Sequence, residues 1–350
     1  MPVLVTLCLL CVGQTFIKVE ASHGEKNKSN ISTVGTSIVE RDGSVPYPSR
    51  VVAHSDGIGL NDSDCERQWA LQAMKLPIDS DLYQNPGNQV QVAVLDSGID
   101  SSHEDLQGKV VMEINLTDSP YVTDINGHGT HIAGIIAANS NNGLGIAGIA
   151  PFSQLINIKV ADDSGKVYAK TLAEGIVRAV QNGADVINAS IEIQEPIPEL
   201  ENAVNYAWGK GVLVVAAASN HSVNPVYPAC FSNCLAVAAI DQLGKIGPLP
   251  HTKDYKYVAA PGDSIYSTRP NNQYGYMSGS SCATAHLSGL AALLFSIAVD
   301  ANGNGKINDD VRAAIEAAAS DVAGSDIKLI NAASALNRII NIRRPGSLSR

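Results

Sequence analysis

The chain has 350 residues, 45% hydrophobic and 17% charged, which excludes disorder over most of its length and provides for one large domain or two small ones. Lys and Arg total 24 against 34 Asp and Glu, a net charge of -10, so the chain lacks the basic footprint of a nucleic-acid binder and is poorly matched to anionic membranes. Thirty glycines suit a tightly wound α/β protein better than a helical bundle.

Residues 2–13 form an apolar run of signal-peptide length, too short to span a bilayer comfortably, and Val19-Glu20-Ala21 resembles a small-residue cleavage motif. Residues 1–21 are therefore expected to be a secretory signal, and the mature chain to be extracellular. No later segment reaches about 18 consecutive apolar residues, so no membrane span is expected. Residues 22–60 are polar and read as a removable or flexible lead-in, with a globular body over 61–341 and a basic tail over 342–350.

Cys8 and Cys11 leave with the signal. Cys65, Cys230, Cys234 and Cys282 remain, allowing three pairings, and Cys230 and Cys234 are close enough in sequence to pair if the geometry permits. Glycosylation sequons start at Asn27, Asn30, Asn61, Asn115, Asn188 and Asn220, the last two in strand or site segments where a glycan does not fit.

Along the body, strands are predicted at Val90 to Leu95, Leu155 to Val160, Asp185 to Ile191, Val212 to Ala217 and Cys234 to Ile240. Most are nearly continuous apolar runs, as in parallel strands covered on both faces. Between them, Leu172, Ile176 and Val180 recur at helical spacing, as do Ile197, Leu200, Val204 and Trp208. Ser288 to Val299 reads as a buried helix. Alternating strands and helices predict a three-layer α/β sandwich with a mostly parallel sheet, whose ligands sit at the carboxyl ends of the strands.

Three segments carry chemistry. Asp96 stands at the end of the first buried strand and is followed by Ser97-Gly98; by position alone it is a turn residue or a functional carboxylate. Asn126-Gly127-His128-Gly129-Thr130-His131 places two histidines three apart. They are either metal ligands, without an intervening HExxH-like Glu, or a general base at His128 with a packed structural His131. The glycines beside His128 would let a substrate backbone approach. Ser278-Gly279-Ser280-Ser281-Cys282-Ala283-Thr284-Ala285-His286 precedes the apolar helix. Ser281 is a helix cap or a nucleophile set where helix dipole and backbone N–H groups favour developing negative charge.

In the order Asp, His, Ser these segments resemble the subtilisin family of serine proteases, from about Asn61 to Leu336, and Tyr227-Pro228-Ala229, Asn233 to Asp241 and Ala259-Ala260-Pro261-Gly262 look like its thermitase branch. The resemblance implies a triad of Asp96, His128 and Ser281 and acyl transfer through a covalent intermediate. It implies an oxyanion donor in the side chain of Asn220, an extended substrate strand on Lys166-Val167-Tyr168 and Ser190-Ile191-Glu192, and an inhibitory pro-segment. The implied partners are polypeptide substrates, and the chain is expected to be a monomer. No catalytic cofactor is implied.

Structural calcium is expected at the loop Ser140 to Ile146, which resembles the family's calcium loop, with Asn142, the carbonyls near Leu144 and Ile146, Asp105 and Asp62 as oxygen ligands. A second calcium candidate is Asp300-Ala301-Asn302-Gly303-Asn304-Gly305, which fits the start of an EF-hand loop but has Val311 at the position of the bidentate acid.

Four residues depart from the family pattern. Cys282 stands for Met, an oxidisable group beside the nucleophile, and Ala285 stands for Pro. Ser219 stands for Gly, which strains the backbone if φ is positive. Glu192 stands for Gly beside the main specificity pocket, which leads us to expect a preference for Lys or Arg near the cleavage site. The second reading of the chain is a non-catalytic protein of the same fold that binds or inhibits peptides, and the third makes residues 300–311 a docking module.

Overall fold

The computed structural model describes residues 31–33, 59–80, 83, 87–219, 224–247, 257–321 and 327–343. The expected signal, most of the lead-in, Asn27, Asn30, Asn220 and the tail from 344 onward lie outside the described residues.

A nine-stranded sheet forms the centre. In chain order its strands are β2 (Gln91–Asp96), β3 (Val110–Asn115), β4 (Gln154–Lys159), β6 (Val186–Ala189), β7 (Leu213–Ala217), β8 (Cys234–Ile240), β9 (Tyr257–Pro261), β12 (Ser320–Asp321) and β13 (Lys328–Leu329). Their spatial order is β12-β13-β9-β8-β7-β6-β2-β4-β3, parallel except for β12 against β13. The five strands expected from apolar runs are all present within two residues of their predicted ends.

Side-chain alternation along the strands builds two cores. Val92 and Val94 face one, with α1 (Trp69–Ala73), α2 (His128–Ala137), α5 (Ser280–Phe295), α6 (Asn308–Ala318) and α7 (Ala332–Arg343). Ala93 and Leu95 face the other, with α3 (Ala169–Gln181) and α4 (Pro198–Gly209). The period of two therefore puts Asp96, the next residue in the Val92 and Val94 series, on the side of α2 and α5. The helical spacings at Leu172 and Leu200 belong to α3 and α4, and both residues are fully buried. Helix α5 starts eight residues before the predicted Ser288, so Ser281 lies inside its first turn.

Two pairs of strands lie outside the large sheet. β10 (Ile265–Arg269) and β11 (Gln273–Met277) form a hairpin. The short strand β1 (Ile31–Thr33), from the lead-in, pairs antiparallel with β5 (Lys166–Tyr168), with Ser32 opposite Val167.

The four described cysteines are all free, so the possible Cys230–Cys234 pair is not formed: Cys234 enters the buried strand β8 while Cys230 closes the preceding turn. Among the described sequons Asn61 is exposed. Asn115 spends its amide on the Ser119 carbonyl at 2.7 Å, and Asn188 is fully buried, which fits the expectation that a glycan has no room there.

Candidate active site

Asp96 ends β2, and His128 begins α2. Their side chains meet: Asp96 Oδ1 lies 2.7 Å from His128 Nδ1 and also accepts the Ser97 amide at 2.7 Å. Both residues are fully buried. The Asp96 contact orients the ring and leaves Nε2, buried and without a hydrogen-bond partner, as the nitrogen available for proton transfer.

The approach of β2 to α2 is set by glycine. A Cβ on Gly129 would come within 2.0 Å of the Gly98 carbonyl oxygen and 3.1 Å of Asp96 Cβ. Gly127, with φ +96, turns the chain into the helix. The close approach at Gly129 is thus to the chain's own β2 loop, where the sequence suggested a substrate backbone.

Ser281 is the second residue of α5, where the first-turn N–H groups and the helix dipole favour negative charge. Its Oγ lies 3.4 Å from the Ser190 carbonyl, and Ser190 Oγ donates to the Ser281 carbonyl at 3.1 Å. Ser190 is held in turn by Asn188, whose Nδ2 donates to it at 3.0 Å while its Oδ1 accepts from Ser288. These contacts tie the end of β6 to the start of α5.

Of the predicted substrate residues, Ser190 and Ile191 are buried, Ser190 contacts Ser281, and Glu192 is half-buried. Lys166, Val167 and Tyr168 form a short strand whose edge is paired with β1. Val167 points into the core and Tyr168 is exposed, with the Lys166 ammonium 5.0 Å from its ring centroid. Ser219 has φ +126, so the conditional strain expected from sequence is present, at a cost of about 1–3 kcal/mol.

Two residues that sequence reading passed over support the site. Asp124 is a buried carboxylate that takes the Ser97 and Thr130 hydroxyls and the amides of Asn126, Gly127 and Thr130, all within 3.1 Å. It caps α2 and binds it to the β2 loop. Its place four residues before His128, at a helix start, was the available signal. Lys159 is fully buried at the end of β4, donates to the Ser97 and Thr123 carbonyls and pairs with Asp163 at 2.9 Å. A lysine ending an apolar strand was its signal.

His131 is packed rather than ligating. Burial, then the neighbouring His128 and Arg269, push its pKa down to about 3, and Nε2 contacts the Ile265 and Gly275 carbonyls at 3.1 and 3.2 Å. Cys282 is fully buried, and burial drives its thiol pKa far above the ordinary range, which opposes the expected oxidisable character.

Among the described residues, no cluster of three or more His, Cys, Asp or Glu side chains is assembled for a metal. The first calcium candidate nonetheless gathers hard oxygens. Asp62 accepts the Asn141 and Asn142 amides at 3.0 and 3.1 Å, and Asp105 accepts Asn142 Nδ2 at 2.8 Å and the Ile146 amide at 2.9 Å. Asp62 and Asp105 are both buried. Burial first, with Asp62 adding repulsion, raises Asp105 to about 6 against the pull of its hydrogen bonds. Two crowded buried carboxylates fit a hard cation. At the second candidate, Asp300 is saturated by the amides of Gly303, Asn304 and Gly305, and Asn302 and Asn304 both turn their Nδ2 groups to Asp309 at 2.7 Å. The side-chain amides there present nitrogen to Asp309, whose other oxygen, Oδ1, is buried without a hydrogen-bond partner.

Residues 87–333 match the family model described as the subtilase family. The chain is 42% identical over 237 residues to a thermophilic serine proteinase of Bacillus sp. (strain AK1), covering 67% of this chain and 57% of that protein. It is 41% identical over 261 residues to thermitase of Thermoactinomyces vulgaris, covering 74% and 90%, and 38% identical over 222 residues to the major intracellular serine protease of Bacillus subtilis (strain 168), covering 60% and 69%. The chain thus spans little more than half the length of the first relative and most of thermitase.

Proposed function

This chain belongs to the subtilase family, and from that premise we propose that it is a secreted serine endopeptidase with Asp96, His128 and Ser281 as its triad. The observation that carries the reading is the 2.7 Å contact between Asp96 and His128 Nδ1, made on the sheet face that also carries the N-terminus of α5 with Ser281. In the proposed reaction His128 Nε2 takes the Ser281 proton as Oγ attacks the scissile carbonyl, and then gives it to the leaving amine. Asp96 holds the tautomer and stabilises the imidazolium. The oxyanion meets the N–H groups at the start of α5 and the side chain of Asn220, which lies outside the described residues. Water then cleaves the acyl-enzyme.

Substrate is proposed to bind as an extended strand on Lys166–Tyr168 and on Ser190, Ile191 and Glu192. The antiparallel pairing of Ile31–Thr33 with Lys166–Tyr168 supports this, because it displays that edge accepting an extended segment. It also fits residues 22–60 as a pro-segment of the body 61–341. Secretion rests on the apolar run at 2–13, and no helix among the described residues is long and apolar enough to cross a membrane. Calcium is proposed at Asp62, Asp105, Asn142 and the carbonyls near Leu144 and Ile146, where it would neutralise two crowded carboxylates.

The test is intact mass of the purified secreted chain with and without a fluorophosphonate, beside Ser281→Ala. One adduct on the wild type alone is expected. No adduct on folded protein would favour the non-catalytic, peptide-binding reading.

A further inference from the structure

Strands β2, β4 and β3 lie side by side and parallel, and they begin at the end of the sheet away from Asp96. The length of β2 puts about 20 Å between its two ends. At the far end is a cavity of about 270 Å³, open to solvent, whose wall includes Gln89, Lys109, Asn139, Pro151, Phe152 and Gln154. Gln89, Lys109 and Gln154 stand where the chain enters β2, β3 and β4, so the sheet itself holds the cavity in shape.

Among the described residues lining it, Lys109 alone carries a charge. Lys109 is half-buried, and its ammonium donates to the Pro151 carbonyl. An ammonium has three N–H donors. Among the described residues Nζ makes no other hydrogen bond and no ion pair. Burial pulls the Lys109 pKa down to about 8, against the weaker opposing pull of Asp105, so the group still carries its charge at neutral pH. The cavity therefore holds a positive charge, partly withdrawn from water, with donors to spare and no carboxylate in its wall. Such a charge attracts an anion more strongly than an ammonium on open surface does.

Two further features narrow the ligand. The side-chain amides of Gln89 and Gln154 have no hydrogen-bond partner among the described residues, and each offers both donors and an acceptor. An inorganic anion uses donors alone, whereas a peptide group uses both. Phe152 is 47% exposed and supplies an apolar wall that an inorganic anion has no use for.

The geometry points to a second binding site in this chain, for a peptide C-terminus: the terminal carboxylate on Lys109, the last peptide group on Gln89 and Gln154, and an apolar or aromatic last side chain against Phe152. The site is built apart from Asp96, His128 and Ser281. Peptide-bond hydrolysis releases such a terminus with every cut, so the reaction proposed above supplies the ligand, although binding does not depend on it.

The test uses the purified full chain carrying Ser281→Ala, which leaves peptides intact. Five probes are titrated by calorimetry: N-acetyl-Ala-Phe as the free acid, the same peptide as its C-terminal amide, N-acetyl-Ala-Gly acid, N-acetyl-Asp-Phe amide and acetate. The Phe acid is expected to bind at least about tenfold tighter than each of the other four. In the same background Lys109→Met should reduce its affinity to that of the amide, Lys109→Arg should retain it, and Phe152→Ala should bring it toward that of the Gly acid. Melting temperatures of the variants verify their fold, and the comparison of acid with amide needs no Lys109 variant at all. Equal affinity for acid and amide, no binding of the Phe acid at millimolar concentration, or acid binding that survives Lys109→Met overturns the inference; the last outcome would place the peptide in the cleft beside Ser281. Acetate or the Asp-Phe amide binding as tightly as the Phe acid would show a site for carboxylates in general and overturn the assignment to a peptide terminus.

Discussion

Asp96 and Asp124 are joined through one residue: Ser97 gives its amide to Asp96 Oδ1 at 2.7 Å and its hydroxyl to Asp124 Oδ1 at 2.8 Å. One carboxylate orients His128 and the other caps the helix that His128 begins. Both are buried, and every hydrogen bond described for Asp124 comes from a donor. In Asp124→Asn an amide nitrogen must face one of those donors. The expected outcome is a kcat lower by about 100-fold with KM little changed, since the loss is in the placement of His128. Steady-state kinetics on protein of verified fold checks it; a fall confined to KM would contradict it.

Gly129 sets how near α2 comes to β2. Gly129→Ala forces its Cβ against the Gly98 carbonyl, which is backbone and cannot swing away. Destabilisation of about 1–3 kcal/mol is expected from this overpacking, with activity lost because Asp96 and His128 are driven apart. Urea unfolding followed beside turnover measures both. Unaltered activity in Gly129→Ala would show that the contact relaxes without moving the pair.

Acid should destabilise the fold early. Burial holds His131 near a pKa of about 3 and His286 near about 4. In the unfolded chain both return to about 6.5. Above that value neither state carries the proton, and the stability is fully present. As the pH falls below it, only the unfolded chain is protonated, so stability drops by about 1.4 kcal/mol per pH unit for each histidine until the folded values are reached. Melting temperature measured from pH 7 to 4.5 should fall steeply, and His286→Gln should make the fall shallower. A flat profile for the wild type across this range would refute the account.

Calcium should stabilise through the first loop alone. At calcium 100 times its dissociation constant the gain is about 2.7 kcal/mol. Chelation should lower the melting temperature of the wild type and of Asp300→Asn, and should leave Asp105→Asn unaffected. An equal response in Asp105→Asn would move the site elsewhere.

Much of this was legible before any coordinates. The five central strands were readable because parallel strands covered on both faces are continuous apolar runs, and α3 and α4 because one face repeats at helical spacing. The candidate triad was readable because each member sits in a local motif. The β10–β11 hairpin was missed although Asn271 and Asn272, both at positive φ, mark its turn. Its strands carry tyrosines and polar residues in place of an apolar run. Helices α6 and α7 and the pairing of β1 with β5 also went unseen, the last because it depends on a strand edge far along the chain, with Ser32 opposite Val167.

The sequence by itself determined the parallel α/β core, the order Asp96, His128, Ser281 and the oxygen-rich loops, since these follow from periodicity and from residue types held within a few neighbours. Tertiary structure alone decided that Ser97 links two carboxylates, that Lys159 reaches the Ser97 and Thr123 carbonyls, that Cys282 is sealed from solvent, that Asn302 and Asn304 both turn to Asp309, and that Ser219 holds Glu192. Each of these is a contact or a burial, and hydrogen bonds form between atoms brought within about 3 Å by the fold, a distance that separation along the chain does not specify.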